Sequence, residues 1–271
     1  MPMNLLGERL GDVLLGALDD ADGSTLLVDP SAGTVDALVD VLAGLETPPT
    51  VRVLAHEGVF KEVFEDFIVA SNAADHIEDG HLELRVIDDR AENTLLITDD
   101  RILALVTAGG TVAGLVGEET AFVQSTAEEY RSAWNDADEY SLRTPALSAV
   151  REELDSELDA DVEEDFTGML ESLETARGDG EGLDEVTLSL LSAAKNEALL
   201  YDISRWGEDV GLASKATFSR TKTSLEEQGL IETEKVPIDV GRPRLRLKLG
   251  DERLREADPD QLASAAQSIL N

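Results

Sequence analysis

Gly211-Leu-Ala-Ser214-Lys-Ala-Thr-Phe218-Ser-Arg220-Thr-Lys222-Thr-Ser-Leu225, followed by Glu232-Thr-Glu-Lys-Val-Pro-Ile238 and Pro243-Arg-Leu-Arg-Leu-Lys-Leu249, decides the fold of the C-terminal third. Ser214 is a good N-cap residue, so a helix is expected from Ser214 to Gln228 with Phe218, Thr221 and Leu225 turned inward. Gly211-Leu-Ala makes the turn before it. Upstream, Leu183, Val186, Leu190, Leu191 and Ala194 share one face of a first helix, and Leu199, Ile203, Trp206 and Val210 one face of a second. Downstream, the strand Glu232–Ile238 turns at Asp239–Arg242 into a returning strand. That strand puts Leu245, Leu247 and Leu249 on one side and Arg244, Arg246 and Lys248 on the other.

Three helices with a glycine turn before the third, then a two-stranded wing, is the order of a winged helix-turn-helix, whose third helix enters the major groove of DNA. With Phe218 inward, a rotation of 100° per residue turns Ala216, Ser219, Arg220 and Thr223 outward, with Thr217 and Ser224 flanking. Lys215 and Lys222 project nearer the core edge and are expected to reach phosphates. Arg220 is the one outward base and is expected to read a guanine edge. The expected DNA contacts are therefore Ser214, Lys215, Ala216, Thr217, Ser219, Arg220, Lys222 and Thr223 on the helix. On the wing they are Arg242, at the tip Gly241-Arg242-Pro243, with Arg244 and Arg246. A winged helix that docks only proteins is the alternative.

Charge sets the module apart. Residues 183–256 carry 12 of the 22 Lys and Arg against 14 acids, whereas residues 1–182 carry the other 10 against 42. A near-neutral module on so acidic a body points to a polyanion, and double-stranded promoter DNA is the expected partner. The formal net charge is −36, spread along all 271 residues, and only six of the bases are Lys. Such a coat resembles that of proteins from salt-loving archaea, where molar salt screens the self-repulsion; an ordinary acidic cytosolic protein is the alternative. Counterion release weakens in such salt, so more of the DNA affinity must come from groove contacts and paired half-sites. That argues for a homodimer.

A hydrophobic share of 42%, arranged periodically, is that of a folded chain. The absence of Cys excludes disulfides, Cys-ligated zinc and thiol catalysis. His76, Asp79 and His81 stand close together but read as a surface loop, so no metal and no cofactor is expected. Without an 18-residue apolar run or a basic-then-apolar start, the expected location is cytoplasmic, with no membrane partner.

The N-terminal region reads as an α/β domain with a mixed sheet. Thr25–Val28 and Val51–Ala55 are short apolar runs, each followed by apolar residues at helical spacing: Val35, Leu38, Val39 and Leu42, then Val59, Val63, Phe64 and Phe67. A helix from Leu5 to Leu18 is expected before them and a strand from Leu82 to Ile87 after them. That order implies parallel pairing. Thr94–Thr98 and Arg101–Val106 then flank Asp99-Asp100 as a tight hairpin, and Val112–Val116 follows Gly109-Gly110 as a third antiparallel run. A helix from Ala121 to Leu142 closes the domain with Phe122, Tyr130, Trp134 and Ala137 inward. Ligands of open α/β sheets lie beyond the carboxyl ends of the parallel strands. There Ser31, Gly33 and Thr34, with His56, can hold a small metabolite or sugar phosphate; a plain capped helix start is the alternative.

From Leu147 to Leu173 an apolar residue recurs every three or four positions, one stripe along a helix or a helix pair. It is expected to face the N-terminal domain or, preferably, a second copy of the chain. The short terminal helix Pro259–Leu270 adds to the case for a dimer. The expected organisation is an α/β sensor or dimerisation domain over 1–143, connecting helices over 144–177 and a Gly-rich linker over 178–182. The winged helix follows over 183–256 and a terminal helix over 257–271.

The order of residues 20–143 is similar to the phospholipase-D-like sensor domain of archaeal sugar-responsive regulators of the TrmB type. That superfamily's enzymes carry His-x-Lys, whereas His56 here is followed by Glu57 and Gly58, so the resemblance implies a sensing or dimerising domain without catalysis. The whole chain resembles the haloarchaeal TbsP-type winged-helix regulators through Leu14–Leu18, Thr25–Asp29, the Thr94–Val106 hairpin, Ser214–Arg220 and Gly241–Arg244. That resemblance implies transcription control of central carbon metabolism. The DNA-binding module stands last here and first in TrmB proteins. No enzyme is expected: Ser192-Ala-Ala-Lys195 and Ser219-Arg-Thr-Lys222 match Ser-x-x-Lys only by helix-surface coincidence, and no nucleophile–base set stands out on residues 1–143.

Overall fold

The computed structural model describes residues 4–19, 23, 25–88, 91, 93–109, 111–173, 175–176, 183–238 and 243–270. The chain forms two compact units, Met1–Glu65 with Asn72–Leu142, and Asp66–Ser71 with Arg143–Asn271.

The first unit runs β1 (Leu5–Gly7), α1 (Leu10–Leu18), β2 (Thr25–Val28), α2 (Ala32–Gly44), β3 (Val51–Ala55), α3 (Glu57–Val63), α4 (Phe67–Glu78, whose first five residues belong to the second unit), β4 (Leu82–Val86), β5 (Leu95–Ile97), β6 (Ile102–Ala108), β7 (Thr111–Gly117), α5 (Thr120–Asp136) and β8 (Asp138–Glu139). Among the described residues these strands form one mixed sheet in the order β1-β7-β6-β5-β2-β3-β4-β8. β2, β3 and β4 are parallel and the other pairings antiparallel. β2 is buried at every position, the mark of a strand covered on both faces. On one face α5 lays Val123, Ala127 and Trp134 over Leu26, Val28, Leu54, Ile97 and Ile102. On the other sits α1, so close that a Cβ on Gly114 would lie 3.1 Å from both Val13 and Leu103.

Several expected boundaries move. Leu5–Gly7 is not helical but pairs with β7, and the helix begins only at Leu10, where the Asp12 carboxylate accepts the Arg9 N–H at 3.1 Å. The helix expected over Val59–Phe67 is two helices, because Asp66 accepts the Ile68 N–H and starts a new one. His76 lies in the last turn of α4 rather than in a loop, and burial holds its imidazole below the usual pKa. No group of three or more His, Asp or Glu residues able to hold a metal occurs among the described residues. α5 stops at Asp136, and of the four residues expected inward Trp134 is buried and Tyr130 and Ala137 pack on the core, whereas Phe122 is 54% exposed and Val123 takes the buried place beside it.

The second unit holds α6 (Leu147–Glu157), α7 (Ala160–Glu171), α8 (Glu185–Lys195), α9 (Leu200–Asp209), α10 (Lys215–Glu227), β9 (Ile231–Val236), β10 (Arg244–Leu249), α11 (Glu252–Arg255) and α12 (Pro259–Leu270). The apolar stripe breaks at Asp159, whose carboxylate caps α7 by accepting from the Asp161 N–H. Val150, Leu154, Val162, Phe166 and Leu170 share one core with Trp206, Phe218, Leu262, Ala263 and Ala266. The stripe and the terminal helix therefore cover their own helix-turn-helix, not a second copy. Periodicity shows which face is apolar but not what will cover it. Residues 178–182, expected as a linker, lie outside the described residues. Among the described residues no helix is long and apolar enough to cross a membrane.

Candidate nucleic-acid interface

The turn between α9 and α10 is built on Gly211, at φ +84° in the left-handed region that favours glycine, with Leu212 and Ala213 N–H donating back to the Gly207 carbonyl. Ser214 caps α10, its hydroxyl accepting the Thr217 N–H at 3.1 Å. Gly207 sets the crossing of the two helices, because the Phe218 ring stands 2.2 Å from where a Cβ would be. Phe218 is fully buried and orients α10 about its axis. Ser214, Lys215, Ala216, Ser219, Arg220 and Thr223 lie on the exposed face, with Thr217 half-buried beside them.

Arg220 is fixed by neutral groups alone: Nε donates to the Ala216 carbonyl at 3.3 Å and a terminal nitrogen to Thr217 Oγ1 at 3.5 Å. It makes no ion pair among the described residues. Lys215 is bonded to Glu208, which raises the lysine's pKa and lowers the glutamate's. Lys222 is a correction to the expected phosphate contacts. It is 9% exposed, and its ammonium lies 2.8 Å from Glu226. Burial alone would raise the pKa of Glu226, but hydrogen bonds from Lys222 and Thr233 outweigh it and lower the value. Lys222 is a packing residue, tying α10 to β9 through that carboxylate.

β9 and β10 pair antiparallel from Arg244↔Val236 to Leu249↔Ile231. The Leu247 N–H donates to the Ala198 carbonyl at 2.9 Å, so β10 is held against the start of α9 as well. Leu247 and Leu249 are buried. The opposite face carries the expected bases, each beside an acid. The Arg244 guanidinium lies over the Tyr201 ring at 4.2 Å and 3.4 Å from Asp202. Arg246 is 3.9 Å from Glu197, and Lys248 is 2.8 Å from Glu234. Arg242 and the wing tip lie outside the described residues.

A groove of about 440 Å³ runs between α9, the start of α10 and the wing, lined among others by Tyr201, Ser204, Lys215, Ser219, Ile238 and Arg244. Two cations and no carboxylate stand among its described lining residues. Tyr201 (48% exposed) is a residue that sequence reasoning missed. Its signal was there: an aromatic off the stripe Leu199, Ile203, Trp206, Val210, in a chain with only 4% aromatics. Lys235, exposed on β9 and without an ion pair among the described residues, was missed as well.

In the first unit, Ser31 caps α2, its hydroxyl accepting the Thr34 N–H at 3.2 Å and sharing a hydrogen bond with Thr34 Oγ1 at 2.9 Å. Gly33 lies in the first turn of that helix, and His56 is the residue before α3. A separate cavity of about 430 Å³ opens at the carboxyl ends of β3 and β4, lined among others by Leu54, Tyr130, Asp88, Glu129, Asp136 and Asp138.

Two family models match the chain. One, described as transcriptional regulator TbsP-like, N-terminal, covers residues 2–145; the other, described as transcriptional regulator TbsP-like, C-terminal HTH domain, covers residues 146–267. Among solved structures, the chain is similar to TrmBL2, an archaeal chromatin protein whose structure is described as showing a novel mode of DNA binding. The identity is 17% and the TM-score 0.38, over 51% of this chain and 54% of that one, so the match spans about half the length of that chain. No curated protein matches the chain.

Proposed function

The chain belongs to the TbsP-like transcriptional regulators, and we propose that it is a sequence-specific regulator that lays α10 in the major groove of promoter DNA as a homodimer. The observation that carries this reading is the face of α10. Ser214, Lys215, Ala216, Thr217, Ser219, Arg220 and Thr223 stand there around one guanidinium that no acid engages among the described residues. Arg220 reads a guanine edge, Lys215 and Arg244 exchange their carboxylate partners for phosphates across the groove, and Arg242 and Arg246 extend the contact along the wing. The setting is the cytoplasm of a halophilic archaeon, and the controlled genes belong to central carbon metabolism.

The first unit serves as a sensor on a phospholipase-D-like sheet without the catalytic pair. An effector would bind at the carboxyl ends of the parallel strands, either at Ser31, Gly33, Thr34 and His56 or in the neighbouring cavity. Asp88, Glu129, Asp136 and Asp138 repel phosphate from that cavity, which suits a neutral polyol or a cation.

The test is chromatin immunoprecipitation of the wild type beside Arg220→Ala, followed by binding to a recovered duplex in molar salt. Discrete peaks lost in the variant, with affinity down roughly 5- to 150-fold for the loss of a bidentate base contact, are expected. The pairing of most wing bases with acids favours a second reading, a winged helix that docks a protein. Absence of peaks from the well-expressed wild type would select it.

A further inference from the structure

The two elements that sequence periodicity offered for pairing two copies, the α6–α7 stripe and α12, are consumed by the core of their own unit. A different surface is left open. Among the described residues the large apolar side chains that remain exposed are Leu6, Leu15, Val106, Leu115, Phe122, Tyr201 and Ile238. Tyr201 and Ile238 line the groove of the candidate DNA interface. Four of the other five fall on one face of the sheet. Leu6 and Val106 both stand opposite Ala113 in the register, so the three form a row across β1, β7 and β6. Leu115 lies two residues further along β7, beside Ala104 on β6. A Cβ on Gly117, two residues beyond, would lie 3.7 Å from the Phe122 ring, which places that ring over the same face. Helix α5 covers Ile97 and Ile102 on this face but leaves the outer strands bare.

We propose that two copies of the chain pack these bare faces together, Leu6, Val106, Leu115 and Phe122 of one on the same residues of the other. The proposal rests on the dimeric reading above and adds where the dimer forms. Three features point to a second copy as the occupant. The strand residues of this face, Leu6, Ala104, Val106, Ala108, Ala113, Leu115 and Gly117, carry no charge, whereas the chain as a whole carries −36. Two copies so charged can approach closely only where neither presents acids, and a basic partner would select an acidic surface instead. The size also fits. The seven residues each of β6 and β7 and the three of β1, at about 3.4 Å per residue and about 4.8 Å between strands, span roughly 280 Å² in projection, close to the size of the largest apolar patch on a monomer, which is often functional. That area supplies the apolar centre of a standard interface of about 800 Å² per partner, with a polar rim around it. Finally, the patch is self-complementary in kind, apolar at its centre with the uncharged Thr111 at one end, as an isologous contact about a two-fold axis allows, and a two-fold dimer matches paired half-sites on DNA. Glu118 and Glu119 follow directly after β7, so like charges meet at the rim and the contact strengthens as salt screens them.

The experiment is the solution mass of the full chain in molar KCl by light scattering, for wild type and for Val106→Glu/Leu115→Glu, with thermal melting of both to show that the fold is kept. A second readout uses the fact that the chain has no Cys. Leu115→Cys is oxidised beside Leu15→Cys, the latter on α1 at the opposite face of the sheet. A two-copy mass for wild type, a one-copy mass for the double variant with an unchanged melt, and covalent dimers from Leu115→Cys alone support the proposal. A double variant that stays dimeric, or cross-linking from Leu15→Cys alone, overturns this face while leaving the dimeric reading intact. A wild type of one-copy mass in molar KCl overturns both, and leaves DNA binding by α10 to be judged from Arg220→Ala.

Discussion

Gly207 and Phe218 meet so closely that the benzene ring occupies the place a methyl group would need. Gly207→Ala gains roughly 1 kcal/mol of helix propensity in α9, but forcing the fully buried Phe218 aside costs about 1–3 kcal/mol as in other overpacked cores. A net loss of stability is expected, with a lower melting temperature of the second unit and weaker DNA binding, because the face of α10 turns with the ring. Retention of both would show that the crossing tolerates a wider gap. Arg220 and Lys222 mark the limit of sequence reading at this scale. Helical rotation from Phe218 shows that Arg220 points outward. For Lys222 it gives only an edge position, and the burial comes from Glu226 and Thr233, whose approach depends on β9. Arg244 shows the same limit: alternation puts it on the polar side of β10, but the Tyr201 ring beneath it belongs to another element.

At the scale of elements, caps and alternation were legible and coverings were not. Ser214 was read as the cap of α10, and the strands β2, β3, β5, β6 and β7 as apolar runs, because each signal lies within a few residues. The short edge strands β1 and β8 were missed, since Leu5–Gly7 and Asp138–Glu139 become strands only through partners distant in sequence. The start of α8 offers a test of helix-end electrostatics. Burial pushes the Glu185 carboxyl above its ordinary value of 4.5, with Asp184 adding to the rise and a backbone hydrogen bond opposing it. A raised carboxyl contributes stability that is fully present below 4.5 and lost as pH rises through its folded value, so ionised Glu185 weakens the unit at neutral pH. Glu185→Gln is expected to melt higher than the wild type at pH 7, and the gap is expected to close as the pH falls below 4.5. An equal or lower melt at pH 7 would mean that the favourable field of the helix N-terminus outweighs desolvation.

Across the whole molecule, the division of the chain at Leu142 falls beside the break between the two family models at 145 and 146. Charge is the property that acts at this scale. With −36 over 271 residues, self-repulsion opposes compactness until ions screen it. The melting temperature is expected to climb from dilute buffer to molar KCl, and a melt independent of salt would contradict an electrostatic origin. Composition alone made this legible. It did not reveal that four bases of the candidate interface already have partners: Lys215 with Glu208, Arg244 with Asp202, Arg246 with Glu197 and Lys248 with Glu234. A phosphate must displace a carboxylate from each of these groups, so an arbitrary stretch of duplex gains little by arriving. On the proposed reading, a site that also satisfies Arg220 is expected to hold the protein, whereas elsewhere on the chromosome it is expected to pass by, its residence time decided by the bases beneath it.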